Sequence, residues 1–258
     1  MRAAAAALLA TAAAVAAMAS GSLSGHPTRL PERARAEAYP AVVPRAFTPG
    51  PPLRLRHREL WHYAPVRRAV AARDAPRADA PVVQQVATRT PEDTDNILAV
   101  LGHRADASGA AWVQARLVNG ATGWVPRASL GGYGTVTTHL DVDLAALQAT
   151  LYRDGRPVLR APIGAGAAGT PTPTGRFYIR DRLSRYRSPA YGPVAFGTSA
   201  RSATVTDWPA GGYVGIHGTD RPDLLPGRVS HGCIRLRNAD VVRLARLMPI
   251  GTPVLIRH

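Results

Sequence analysis

Cys233 is the only cysteine of the chain. It stands in the run Ser230-His231-Gly232-Cys233-Ile234-Arg235-Leu236, downstream of a second histidine, His217. The chain begins like an exported protein, and outside the cytoplasm a structural cysteine normally has a disulfide partner. None exists within this sequence. A lone thiol flanked by histidine and glycine therefore reads as a nucleophile, with simple packing as the plain alternative. A thiol at its ordinary pKa is mostly protonated at neutral pH, so a catalytic cysteine needs a base or a cation beside it. His231 is two residues away, and neighbours at that spacing point in different directions on most backbones. His217 belongs to a separate strand, which lets its ring face the sulfur across a cleft. His217 is thus the candidate general base, with His231 as a supporting or oxyanion-side group. Gly232 has no Cβ, so the backbone can turn tightly there and offer consecutive amide donors to an oxyanion. Losing one such donor typically costs about 3 kcal/mol of transition-state stabilisation.

The same side chains admit a metal reading. His217, His231 and Cys233 can supply three zinc ligands, with Asp207 or Asp220 as a fourth. The spacing matches no compact zinc pattern, and the expectation is a site without metal or cofactor.

These residues must be positioned by a β-rich region running from about Gly134 to Arg257. Val136 to Leu140 and Leu147 to Tyr152 have strand character, Asp154-Gly155 makes a hairpin turn, and Val158 to Ile163 returns. A glycine- and threonine-rich loop follows, Gly164 to Gly175, and then a strand at Phe177 to Ile179. Tyr213-Val214-Gly215-Ile216-His217 reads as a buried strand with the histidine at its end. One helix is expected, with Asn238 as N-cap, Asp240 at its positive start, and Val241, Leu244 and Leu247 on one face. Pro249 and Gly251 stop it, and Pro253 to Ile256 forms a last strand. Ser184 to Ser199 is a candidate lid over Cys233.

Upstream, between about Ala64 and Leu130, short strands recur at Val82–Ala87, Ile97–Leu101, Trp112–Val118 and Thr122–Val125. Asn119-Gly120 gives a two-residue hairpin signal between the last two. Glu92, Asp93 and Asp95 make an acidic loop expected to be solvated, with spacing unlike a calcium loop. Trp112 and Trp124 read as core residues of a small barrel. From Ser20 to about Tyr63 the chain is rich in proline, alanine and arginine with no sustained period, which describes an extended linker. Met1 to Ala19 reads as a secretory signal, with Ala17-Met18-Ala19 as its cleavage site. The apolar run is mostly alanine and short of the ~20 strongly apolar residues a spanning helix needs, although a retained anchor is the alternative. No cysteine follows it to accept a lipid.

The formal charge is +15, from 32 cationic and 17 acidic side chains. Every cation is arginine, since the sequence has no lysine. Such an excess favours polyanions. An exported chain with no nucleic-acid motif points to anionic cell-wall polymers or carboxylate-rich peptidoglycan, and away from nucleic acid. The expected product is a soluble secreted or wall-associated protein.

The run Ile216-His217-Gly218-Thr219, followed after Val229 by Ser230-His231-Gly232-Cys233-Ile234-Arg235-Leu236, resembles the catalytic signature of the YkuD-type L,D-transpeptidases. Gly169-Thr170-Pro171-Thr172-Pro173-Thr174-Gly175-Arg176-Phe177 resembles that family's T-P-x-G-x-F segment, and Asn238 to Leu247 its closing helix. The likeness spans about Val136 to Ile256. It implies a mostly β, sandwich-like catalytic domain over 134–257 with one short helix. It also implies acyl transfer on peptidoglycan. Cys233 would attack the carbonyl of the third stem residue and expel D-alanine, and the amine of a second stem would resolve the thioester into a 3→3 cross-link. His217 then corresponds to the base, and Gly218 orients its ring through a backbone carbonyl. Ser230, His231 and Gly232 shape the oxyanion loop, while Arg235 holds substrate carboxylate or the loop itself. Residues 64–131, with their W-x-x-V strand at Trp112 to Ala115 and Gly123-Trp124-Val125, resemble a bacterial SH3-like domain, a module that attaches exported enzymes to the wall. A hydrolase on the same scaffold and a non-catalytic wall binder remain the competing functions.

Overall fold

The computed structural model describes residues 60–184, 188–205 and 212–258. The expected export signal and nearly all of the proline-rich linker lie outside the described residues. Within them no helix is long and apolar enough to cross a membrane.

The first sheet is antiparallel throughout and is built from β1 (Trp61–Pro65), β2 (Val70–Arg73), β3 (Val82–Val86), β4 (Ile97–Ala105), β5 (Ala111–Arg116), β6 (Thr122–Pro126) and β7 (Gly134–Val136). Its order is β3-β2-β6-β5-β4-β1-β7. Trp61 to Tyr63, read from sequence as the end of a linker, form most of β1 and pair with both β4 and β7. Alternation places Val113, Ala115 and Val125 inward, where they close a core with Ala64, Leu98 and Leu117. Asn119 and Gly120 both take positive φ, +58° and +75°, as a mirror-image turn requires. The β5–β6 ladder nevertheless ends at Arg116↔Thr122, which leaves a wider tip than a two-residue hairpin. That tip is used as a contact: Asn119 Oδ1 accepts the Arg201 N–H at 2.6 Å. Trp112 is buried and donates Nε1–H to Asp106 at 2.9 Å, whereas Trp124 is only half-buried, with the Arg104 guanidinium 6.0 Å from its ring.

The second sheet comprises β8 (Thr138–Asp143), β9 (Gln148–Arg153), β10 (Arg156–Pro162), β11 (Gly164–Gly166), β12 (Gly175–Ser184), β13 (Val194–Arg201), β14 (Tyr213–His217), β15 (Gly227–Ser230), β16 (Ile234–Arg235) and β17 (Pro253–Arg257). Its order is β10-β9-β8-β17-β12-β13-β14-β16-β11-β15. The single run expected from Val136 to Leu140 breaks at Thr137, because β7 joins the first sheet and β8 the second. Asp154 and Gly155 form the expected turn of the β9–β10 hairpin, at φ +51° and +76°.

Strand β12 belongs to both halves of this sheet. Gly175 to Tyr178 pair with β17, and Ile179 to Ser184 pair with β13. The two halves close on one core, in which Leu140 and Leu151 meet Ile179, Leu183, Phe196, Ile216, Ile234 and Leu236. This is a mostly β, sandwich-like architecture with one α-helix among the described residues.

That helix, α1 (Asn238–Leu247), buries Val241 and Leu244 against the core. Asn238 does not cap it. Arg237 is the N-cap residue, no side-chain cap bond forms, and the Asn238 amide is drawn instead to the Thr219 backbone. At the other end two arginines satisfy orphan carbonyls. Arg182 Nη1 donates to Ala245 O at 3.0 Å, and Arg153 Nη2 donates to Leu247 O at 2.7 Å.

The two sheets meet through Tyr63, Ile97, Val136 and Tyr178, and the Tyr178 hydroxyl donates to Ile97 O at 3.0 Å. The acidic loop does not behave as a solvated one at Glu92. Its carboxylate is fully buried against Arg180 at 2.6 Å, because the second sheet presents a guanidinium that burial would otherwise strand. Asp93 and Asp95 stay at the surface and bind Arg89.

Candidate active site

Three neighbouring strands build the site. β13 pairs antiparallel with β14, bringing Ala195 opposite His217 and Gly197 opposite Gly215. β14 pairs in parallel with β16, with Ile216↔Ile234 and His217↔Arg235 in register. Ile216 and Ile234 are fully buried, so this face of the two strands is anchored in the core. Period-two alternation sends His217 and Arg235 to the other face. Cys233 enters just before β16, and its Sγ accepts the Gly215 N–H at 3.3 Å. The thiol therefore lies against the middle of β14, the strand that ends in His217, with Cys233 4% and His217 2% exposed.

The ring of His217 is fixed by its own chain. Nδ1 lies 2.6 Å from Gly218 O, and a carbonyl can only accept, so the proton resides on Nδ1. The lone pair of the neutral ring is then on Nε2. Tyr191 packs beside it, ring centroids 4.6 Å apart at 51°. Gly218 cannot be larger: a Cβ there would come 2.2 Å from Asn238 Oδ1 and 3.0 Å from the Gly192 Cα. The same Asn238 Oδ1 accepts the Thr219 N–H at 2.9 Å, which clamps the turn that carries the orienting carbonyl.

The loop before Cys233 is equally tied. Gly232 has φ +122°, a conformation that side chains avoid, and a Cβ there would meet Val205 at 2.9 Å. Ser230 Oγ donates to Cys233 O at 2.5 Å and accepts the Gly232 N–H at 3.1 Å. The Gly232 amide, expected among the oxyanion donors, is thus engaged by the serine. The threonine-rich segment braces the loop from outside. Thr172 Oγ1 accepts from Gly166 N and donates to Gly232 O, both at 2.9 Å, and Thr170 Oγ1 donates to Ser230 O at 2.9 Å. His231 is exposed, and its carbonyl accepts from Thr204 at 3.3 Å. Arg235 is half-buried, and its Nε is shut away from solvent without a hydrogen-bond acceptor.

Among the described residues no three histidine, cysteine, aspartate or glutamate side chains gather as a metal site. Asp220 is exposed, and Asp207 lies outside the described residues. The segment named as a lid is a core strand from Val194 onward, with Ala195 to Ala200 buried. Residues 185–187 of it lie outside the described residues. Tyr191, Thr172 and the positioning role of Asn238 were not anticipated. The Tyr191-Gly192-Pro193 turn carries a sequence signal only once Gly192 is seen against Gly218.

The YkuD family, described as the L,D-transpeptidase catalytic domain, matches residues 137–256. The putative L,D-transpeptidase YkuD of Bacillus subtilis (strain 168) is 39% identical over 124 residues, which is 48% of this chain and 68% of that protein. The protein of the same name from Bacillus licheniformis is 37% identical over 122 residues, covering 47% of this chain and 67% of the relative. Among solved structures, a crystal structure of Enterococcus faecium L,D-transpeptidase is 28% identical over 46% of this chain and 49% of that one, with a TM-score of 0.37. The chain thus spans about half the length of that solved protein.

Proposed function

From its membership of the YkuD family of L,D-transpeptidase catalytic domains, to which this chain belongs, we propose that the protein forms 3→3 peptidoglycan cross-links by acyl transfer through Cys233. The family acts on peptidoglycan peptides. The observation that supports this reading is the contact of Cys233 Sγ with β14, the strand that ends in His217, whose ring is held by Gly218 O so that Nε2 is the basic nitrogen.

In the proposed cycle His217 takes the thiol proton, and the thiolate attacks the carbonyl of the third residue of a tetrapeptide stem. The C–S bond forms as the carbonyl electrons move to oxygen. Collapse breaks the bond to D-alanine, whose amine leaves with the proton returned by His217. The side-chain amine of a second stem then attacks the thioester and gives its proton to the imidazole, and the sulfur leaves as the C–N bond closes. The oxyanion is met by backbone amides of the Cys233 loop, with the Gly232 amide recruited from Ser230 or left structural. Arg235, beside His217 in register, suits a stem carboxylate, because a guanidinium offers a planar pair of donors. His231 is the exposed supporting group.

The first sheet, with its SH3-like sequence pattern, would hold the enzyme at the wall, and the +15 charge would favour anionic wall polymers. A secreted or wall-associated location follows from the same reading. The alternative is hydrolysis of the same thioester, since both reactions use the same groups and differ only in the acceptor.

Incubation with disaccharide-tetrapeptides and mass analysis separates these readings. Cross-linked dimers with free D-alanine are expected, and tripeptide alone would assign the hydrolase. A carbapenem should add one drug mass to the intact protein, and Cys233→Ala should remove that adduct. An unlabelled, inactive wild type would falsify the acyl-enzyme reading.

A further inference from the structure

Three ionised side chains are buried together where the two sheets meet. Arg180 Nη2 lies 2.6 Å from Glu92 Oε2, and Arg180 Nε lies 3.2 Å from Asp181 Oδ2. Their side chains are 4%, 0% and 1% exposed for Arg180, Glu92 and Asp181. Glu92 comes from the loop between β3 and β4 of the first sheet, and the other two from β12 of the second. Apolar residues of similar volume commonly stabilise such a place as well or better. Stability alone is therefore a weak reason for the cluster, and its contacts supply a stronger one.

Arg180 is the extra residue of a β-bulge. The ladder from β12 to β13 steps from Ile179↔Thr198 directly to Asp181↔Gly197. Bulges of this kind re-aim side chains and recur beside active sites. Asp181 Oδ1 accepts the Gly197 N–H at 2.9 Å, so a carboxylate takes a position on β13 that the backbone ladder would ordinarily fill. A Cβ on Gly197 would sit 2.4 Å from that oxygen. Gly197 is in turn the register partner of Gly215, whose N–H reaches Cys233 Sγ. The Arg180 guanidinium meanwhile lies 3.9 Å from the ring centroid of Tyr213, the first residue of β14. Glu92 is thus linked to the thiol through Arg180, Asp181, Gly197 and Gly215, and to the start of the histidine strand through Arg180 and Tyr213.

We propose that Glu92, Arg180 and Asp181 are positioning residues for β14, and that the first sheet, through Glu92, completes the geometry of the Cys233–His217 site. The inference rests on the proposed function, because it takes Cys233 as nucleophile. None of the three touches the reacting atoms. Glu92 holds the guanidinium over the Tyr213 ring, and the guanidinium holds the carboxylate that props Gly197. Without Glu92, Arg180 can swing away, and β14 loses the support under the strand that aims both reacting groups.

The full chain is compared as wild type, Glu92→Ala, Glu92→Gln and Tyr213→Leu. Alkylation of Cys233 by iodoacetamide is followed by intact mass, transfer between tetrapeptides gives kcat and KM, and thermal melting monitors the fold. Glu92→Ala should lower both the alkylation rate and kcat by about tenfold, since displacements near 1 Å are costly to reacting geometry, while KM stays within about twofold. Glu92→Gln keeps an acceptor for Arg180 and should recover most of that loss. Should Glu92→Ala fail to fold, Tyr213→Leu decides, because it keeps every charge and removes the ring that Arg180 meets at 3.9 Å (and Arg201 at 4.9 Å). The same fall in kcat is expected of Tyr213→Leu, with Arg201→Leu as the control that should leave kcat unchanged. Folded Glu92→Ala or Tyr213→Leu with wild-type alkylation and kcat overturns the inference, as does a loss expressed in KM alone. A wild type that neither alkylates nor transfers counts against the proposed function itself, whatever the variants do.

Discussion

The His217 imidazole is constrained by a carbonyl on one side and an aromatic ring on the other, and the carbonyl is the more consequential. Gly218 O sets the tautomer, and the room for that carbonyl exists only because positions 192 and 218 lack side chains. Gly218→Ala would force a methyl against Asn238 Oδ1 and push the carbonyl off the ring. A loss of about a hundredfold in kcat is expected, because small displacements of a catalytic group are that costly. Steady-state transfer kinetics would show it, and an unchanged kcat would refute the orienting role. Asn238→Ala removes the acceptor for the Thr219 N–H without adding bulk. It should cost about 1 kcal/mol in urea denaturation, the usual net worth of one hydrogen bond. Ser230 works at the same scale: Ser230→Ala would free the Gly232 amide while loosening Cys233 O, so oxyanion binding and loop order would change in opposite directions.

Elements are where sequence and structure agree most closely, and where their differences are most instructive. The boundaries of β14 and α1 were legible because Tyr213 to His217 is an apolar run ended by glycine, and Asn238 to Leu247 repeats at helical spacing before Pro249. Among eight histidines, His217 stood out in the sequence because it ends a strand separate from the Cys233 loop, and the structure sets Cys233 Sγ against Gly215 of that same strand. The capping of α1 was misread because an N-cap signal is local, whereas the Asn238 amide answers a backbone N–H on a distant turn. Glu92 was misread for the same reason: nothing near it in sequence announces Arg180. Tyr191 depends wholly on how β13 returns the chain toward β14. At the far end of α1, Arg153 and Arg182 hold carbonyls from two different strands. Replacing each by methionine should lower unfolding free energy by about 1 kcal/mol, and the pair should act additively, as separate bonds do. Phe196→Ala, which empties a fully buried ring site on β13, should cost about 3 to 5 kcal/mol and report the same core calorimetrically.

Across the whole molecule, the buried ionic cluster makes stability depend on pH in an unusual direction. Burial, reinforced by the Glu92 charge and opposed by Arg180, raises Asp181 to about 6. A carboxyl whose folded pKa exceeds its unfolded value of about 4 favours the fold fully only while protonated. Its contribution is present below about pH 4, falls as pH rises toward about 6, and stays lost above that. Asp181→Asn should therefore flatten this slope. The melting temperature of the variant relative to wild type should rise between pH 4 and pH 7, by an amount equivalent to roughly 1 to 3 kcal/mol. A parallel pair of curves across that window would remove Asp181 from the account. The +15 charge acts on a longer range. Adsorption to isolated walls should weaken steeply as salt is raised from about 0.05 to 0.5 M, because screening shortens to a few ångströms.

Strand β12 leaves no seam between the halves of the second sheet, since its first residues pair with β17 and its last with β13. A fluctuation that opened one half would have to break the same ten-residue strand that holds the other. Backbone amides along β12 should then trade their protons for deuterium only when the entire sheet lets go, all at one rate. β13, the next strand toward the thiol, would then exchange no faster than β12 allows.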